Sequence, residues 1–138
     1  MAKLAVNGGT PVRKKDFPLW PIVTKSDEDS LLGTLRSRNW GLGGGVIGKF
    51  EKEFAKFCDA KHAISVTNGT AALEVALRGV GVNAGDEVII PPYTFIATAS
   101  AVLTVNAVPI FVDIEPDTYL LDAAKIEAAI TSRTAAIM

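Results

Sequence analysis

The sequence predicts an α/β fold, a mainly parallel sheet joined by crossover helices. Three observations carry that expectation. From Lys61 onward, short apolar runs rich in β-branched residues alternate with helical stretches. Nearly all-apolar strands are those buried on both faces, which implies parallel pairing and right-handed crossovers. Residues 88–112 carry no charge, yet Pro91, Pro92, Asn106 and Pro109 interrupt them. The stretch exceeds the ~20 residues of a membrane span, but its prolines divide it into strand, loop, helix and strand pieces of a buried core. Finally, 138 residues with 49% hydrophobic and 21% charged residues suit one globular domain and exclude a disordered chain.

Each element has its own reason. Eight of the twelve glycines lie at or before Gly48, together with Pro11, Pro18 and Pro21. Residues 1–48 therefore read as an arm with one helix and a glycine-rich loop, and residues 49–138 as the front of an α/β domain. The arm helix starts near Ser26, with Ser26 and Asp29 as a capping pair and Leu31, Leu32 and Leu35 as its apolar stripe. A second helix carries Phe50, Phe54 and Phe57 at helical spacing. HAISVT, residues 62–67, reads as a strand, Asn68-Gly69 as a turn, and Thr70 to about Val80 as a helix. DEVII is the next strand, Ile96–Asn106 a helix, VPIFV a third strand and Asp122–Ile130 a helix. TAAIM begins a fourth strand, in which the chain stops, so the chain reads as the front part of a longer protein.

Charge and cysteine content narrow the function classes. Fourteen Lys+Arg against fifteen Asp+Glu give a net charge of −1, which offers no footprint for nucleic acid or an anionic membrane. The single cysteine, Cys58, excludes an intrachain disulfide and Cys-rich metal motifs. No secretory signal opens the chain, and a cytoplasmic setting is expected.

Three loops are candidates for chemistry. Gly43–Lys49, GGGVIGK, fits the spacing of a nucleotide-binding P-loop, but Arg36–Trp40 before it is no strand and Phe50 stands where Ser or Thr should ligate Mg²⁺. A flexible glycine loop is the competing reading. Thr67–Ala71 lies between an expected strand and a helix, where Gly69 permits close backbone approach and free N–H groups face outward as a phosphate cup. A plain turn with Thr70 as N-cap explains these residues equally well. Pro91–Phe95 follows the carboxyl end of a strand, where ligands bind in open parallel sheets. Its aromatics could stack on a planar ligand or simply fill a core. His62 is expected to be structural, and Cys58 a small buried hydrophobe. Asp113, Glu115, Asp117 and Asp122 read as a solvated turn with Asp122 as a helix cap, so no metal site is expected.

The order VTNGTAALEVAL, GDEVIIPPYTFIATASAV and VPIFVDIEPDTYLLD resembles the DegT/StrS family of pyridoxal-phosphate-dependent aminotransferases. NWGLGGGVIGKFEKEFAKFCDAKHA is similar to the segment that precedes these motifs. The arm AVNGGTPVR with LWP looks most like members that make amino-inositols or aminohydroxybenzoate. The resemblance covers nearly the whole chain but only the front third of a family member. It implies part of the large domain of the type I aminotransferase fold, an active-site homodimer, and amination of a keto sugar or cyclic ketone by an amino-acid donor, glutamate or glutamine. It also implies pyridoxal 5′-phosphate (PLP) as cofactor, with Gly69, Thr70 and Ala71 at its phosphate and Phe95 against its ring. Tyr93 and Trp40 would line the substrate side. The family's Schiff-base lysine and the carboxylate that pairs with the pyridinium belong beyond Met138. None of the lysines here sits in the lysine motif, so this chain by itself is expected not to transaminate. Two other readings remain, a P-loop nucleotide-binding protein using Gly43–Lys49 and a non-catalytic interaction fragment.

Overall fold

A computed structural model describes residues 3–41 and 45–138. The chain divides into two compact units, residues 1–50 and 51–138.

In the first unit, a 3₁₀ turn at Ala5–Asn7 is closed by Gly8 at φ 86, a left-handed conformation that glycine adopts freely. Helix α1 spans Lys25–Ser37. Its cap is Thr24, not the expected Ser26. The Thr24 hydroxyl accepts from the Asp27 amide, and the Asp27 carboxylate accepts from the Thr24 amide at 2.7 Å. This reciprocal box needs the cap residue just before the first helical one, and Asp29 instead pairs with Lys25 at 2.8 Å. The leucine stripe of α1 stays exposed. Helix α2, Gly45–Phe57, starts within the glycine-rich run and crosses into the second unit.

The second unit holds the sheet. After α2 come α3 (Gly69–Gly79), β1 (Glu87–Ile90), α4 (Ala97–Thr104), β2 (Val108–Phe111), α5 (Ala123–Ala129) and β3 (Thr134–Ile137). The strand order is β2-β1-β3, and both pairings are parallel. β1 is central and buried at every position, as a parallel strand covered on both faces must be. Val88 and Ile90 pack with Leu77, Val82, Ala101, Val102, Val105 and Ala107 in the core between the sheet and α3 and α4. Arg78 fastens the far ends of these helices by donating to the carbonyls of Val82 at 3.2 Å and Val105 at 2.8 Å.

Strand β3 is anchored at its start. The amide of Glu87 donates to the Arg133 carbonyl at 2.8 Å. The Glu87 side chain, 4% exposed, accepts from the Thr131 hydroxyl and the Arg133 guanidinium. The Thr131 bond is the main cause that holds the Glu87 carboxyl below the usual range, and Arg133 adds to it against the opposing effect of burial.

One expected strand is absent. Residues 62–67 form neither strand nor helix, and Ile64 and Val66 are 77% and 38% exposed. A strand exists only as a paired element, and no described strand pairs with this run. TAAIM is consequently the third strand of the described chain rather than the fourth.

Candidate functional site

The site is built where α3 and α4 begin. Asn68 is extended (φ −165, ψ 172) and caps α3, its side-chain oxygen accepting from the Ala71 amide at 2.9 Å. The cap is therefore Asn68, not Thr70. Asparagine is among the strongest N-cap residues because its short side chain reaches back to the first-turn amides. Its backbone carbonyl takes the Ala72 amide at 3.1 Å. Ala71 and Ala72 are thus satisfied internally, while the amides of Gly69 and Thr70 have no acceptor among the described residues. A Cβ built on Gly69 meets nothing within 4 Å, so the backbone there is open to a close approach.

Helix α4 opens without any side-chain cap at Ile96. The Thr98 amide donates to the Phe95 carbonyl at 3.0 Å, whereas the Ala97 amide finds no acceptor among the described residues. Phe95, just past the carboxyl end of β1, is 76% exposed.

These two helix starts meet on one cleft of about 400 Å³, lined by Gly69, Thr70, Leu73, Phe95, Ala97 and Thr98. That size lies within the ~300–1,000 Å³ of small-molecule sites. None of the lining side chains is charged. The partial positive charge at each helix N-terminus, roughly half an elementary charge, therefore has no anionic side chain of the lining to oppose it. Open amides, two helix dipoles and an exposed aromatic together suit an anionic group carried on a flat, apolar ring.

The structure thus brings Gly69, Thr70 and Phe95 together. Ala71 adjoins them, but its amide is taken by Asn68. Tyr93 does not line the cleft; its ring lies 5.6 Å from that of Tyr119, tilted by 43°. Trp40 belongs to the first unit, where its indole N–H donates to the carbonyls of Thr34 at 3.1 Å and Leu35 at 3.2 Å, satisfying the end of α1. Sequence reading missed Leu73, Ala97 and Thr98 as lining residues. The usable signal was position, since Leu73 lies one turn after Gly69 and Thr98 one turn after Thr94. Tyr119 gave no signal, because its φ of 60 is set by the turn around it.

The other singled-out residues are also accounted for. Cys58 is exposed rather than buried, because α2 ends at Phe57 and the cysteine falls in the turn beyond it. His62 lines a separate cleft with Glu51, Lys52, Ala55, Lys61 and Ala63. The backbone and side chain of Ser65 both donate to Glu51, each at 2.8 Å, and hold its carboxyl below the ordinary range. Asp122 caps α5 by accepting from Ala124 at 3.0 Å, as expected. Asp113 takes the Lys125 ammonium at 3.3 Å, and no group of three metal-ligating side chains occurs among the described residues. Among the same residues, no helix is long and apolar enough to cross a membrane. Gly43 and Gly44 of the P-loop alternative lie outside the described residues. Gly45–Lys49 is already helical, and the described segment before it is α1 followed by irregular chain. A P-loop requires a strand in that place.

Residues 21–138 match the DegT/DnrJ/EryC1/StrS aminotransferase family. The chain belongs to this family. Among its relatives is the L-glutamine:2-deoxy-scyllo-inosose aminotransferase of Micromonospora echinospora, 48% identical across 100% of this chain and 34% of that protein. The crystal structure of 3-amino-5-hydroxybenzoic acid synthase superposes with a TM-score of 0.85 at 43% identity, over 89% of this chain and 32% of that one. NtdA of Bacillus subtilis, solved with its bound cofactor PMP, gives a TM-score of 0.76 at 37% identity, over 83% of this chain and 27% of that one. The α/β fold is thus the front part of the type I aminotransferase fold found in this DegT-type family. The chain spans about a third of the length of the curated relatives it matches.

Proposed function

We propose that the protein to which these 138 residues belong is a PLP-dependent aminotransferase that moves an amino group from L-glutamine to the ketone carbon of a cyclitol or related cyclic ketone. The observation that carries this reading is the cleft where two helix N-termini and Phe95 meet. The relatives named for L-glutamine and for 2-deoxy-scyllo-inosose support the donor and the ketone class.

The residues of the cleft fit the cofactor. The open amides of Gly69 and Thr70 hold its phosphate, and the helix dipoles favour the dianion. Ala71 contributes indirectly, by keeping Asn68 turned so that its two neighbours stay open. Phe95, exposed beside these amides, would pack against the pyridine ring. When bound, PLP supplies an electrophilic aldehyde and an electron sink for the carbon that loses its proton. The lysine that moves this proton is expected downstream of Met138, so these residues bind and orient but do not themselves transfer the amine. Tyr93 and Trp40 are assigned to the substrate side, as the family resemblance implies. A homodimer is proposed from the family resemblance.

Titration of the full-length apoprotein with PLP, followed by absorbance and by intrinsic fluorescence, tests the reading. Saturable binding, with amine transfer from glutamine to 2-deoxy-scyllo-inosose, is expected. Absence of PLP binding would overturn it, as would tight Mg-ATP binding abolished by Gly48→Asp.

A further inference from the structure

We propose that Thr98 is a further anchoring residue for the phosphate group, its hydroxyl donating into the cleft under the control of Thr94. This inference rests on the cofactor reading above and deepens it. The Thr94 and Thr98 hydroxyls lie 2.9 Å apart, and either can be the donor. Two hydroxyls that share one hydrogen bond have two protons for it, so one O–H remains unused.

Which proton stays free depends on what occupies the cleft. If Thr98 donates to Thr94, the free proton sits on Thr94, which does not line the cleft. If Thr94 donates to Thr98, the free proton sits on Thr98, which does line it. An anion held by the Gly69 and Thr70 amides selects the second arrangement. In that arrangement Thr98 both accepts and donates, and each bond of such a chain polarises the next.

Two other helical threonines, deeper in their helices, behave differently. Thr34 donates to the Ser30 carbonyl at 3.0 Å and Thr104 to the Ser100 carbonyl at 2.9 Å, the usual return of a helical hydroxyl to the turn before it. Thr98 instead meets a side chain at that spacing, because residue 94 precedes the helix and its carbonyl is not in the ladder. The Thr98 amide is taken by Phe95, so the hydroxyl is the group this residue can offer a ligand. Beside it, Ala97 presents an amide without an acceptor among the described residues. The α4 start thereby gives the cleft a second donor edge facing that of α3.

The test compares PLP with pyridoxal, which lacks the phosphate, as ligands of the full-length apoprotein. Dissociation constants are read by fluorescence for wild type, Thr98→Val, Thr98→Ser and Thr94→Val. Thr98→Val, nearly the same shape without the donor, should weaken PLP about tenfold or more, as expected for a lost bond to a charged group. It should leave pyridoxal unchanged. Thr98→Ser should bind PLP as wild type does, and Thr94→Val should weaken PLP by a smaller factor. Circular dichroism of each variant separates misfolding from loss of the donor, and Thr98→Ala, which also lacks the hydroxyl, takes the place of Thr98→Val if the valine variant fails to fold. Unchanged PLP affinity in Thr98→Val, or an equal loss for pyridoxal, would overturn the inference while leaving the cofactor reading intact. Failure of wild type to bind PLP would instead overturn the cofactor reading.

Discussion

Replacing Gly69 by alanine should raise the stability of the fold and lower its affinity for PLP. Gly69 is the first residue of α3, its φ lies outside the left-handed region, and an added Cβ meets no atom within 4 Å. Alanine therefore fits without strain, and it removes unfolded-chain entropy for a gain of about 0.4–1 kcal/mol. With an unfolding entropy of roughly 2.1 cal/mol/K per residue and a full-length protein about three times as long as this chain, that gain is a Tm rise of about 0.5–1 °C. The same methyl projects into open space bordering the cleft that is to receive the phosphate. Loss of close contact with even one amide should weaken PLP by about tenfold, equivalent to ~1.4 kcal/mol. Differential scanning calorimetry measures the first effect and fluorescence titration of the full-length apoprotein the second. A purely structural role for Gly69 moves stability without affinity. Unchanged PLP binding in a stable variant would therefore refute the phosphate cradle, and a lowered Tm would refute the unstrained helical geometry.

Further outcomes follow from other parts of the structure. Asn68→Ala removes the cap on the Ala71 amide and should cost about 1 kcal/mol, read from the urea midpoint; no loss would mean the cap contributes nothing in solution. Ile90→Ala, in the fully buried central strand, should destabilise by about 2–5 kcal/mol through lost burial and a residual cavity, as measured by chemical denaturation. Glu87 gives a pH signature. Its folded pKa is depressed below the ordinary 4.5, first by Thr131 and further by Arg133. Its stabilisation is thus complete above about pH 4.5 and is lost as pH falls through the lower folded value. Glu87→Gln should flatten that acid limb, so equal losses between pH 6 and pH 3 in variant and wild type would contradict it.

The family resemblance and the α/β reading rest on features that neighbouring residues carry together. Apolar runs such as DEVII and VPIFV differ from the helical periodicity of TAALEVALRGV, and the proline pair at 91–92 marks the turn between strand and helix. Parallel pairing followed because the strands are nearly all apolar. Local chemistry likewise foretold Asp122 as the cap of α5. Where two local choices competed, the residue facing the right amide won, so Thr24 and Asn68 cap helices for which Ser26 and Thr70 were expected.

What only the tertiary structure decided concerns partners far along the chain. Residues 62–67 have the composition of a strand, but strand formation depends on a neighbour that no local pattern supplies. The exposure of Cys58 depends on where α2 stops. Asn68–Thr70 and Phe95–Thr98 lie about 25 residues apart in sequence, and packing of α3 against α4 over β1 is what brings their open amides onto one cleft. Sequence alone marks each helix start as a possible donor of N–H groups. Their convergence into an anion site is a property of the packed core, because burial of Leu77, Ile90 and Val102 sets the distance and direction between the two helices.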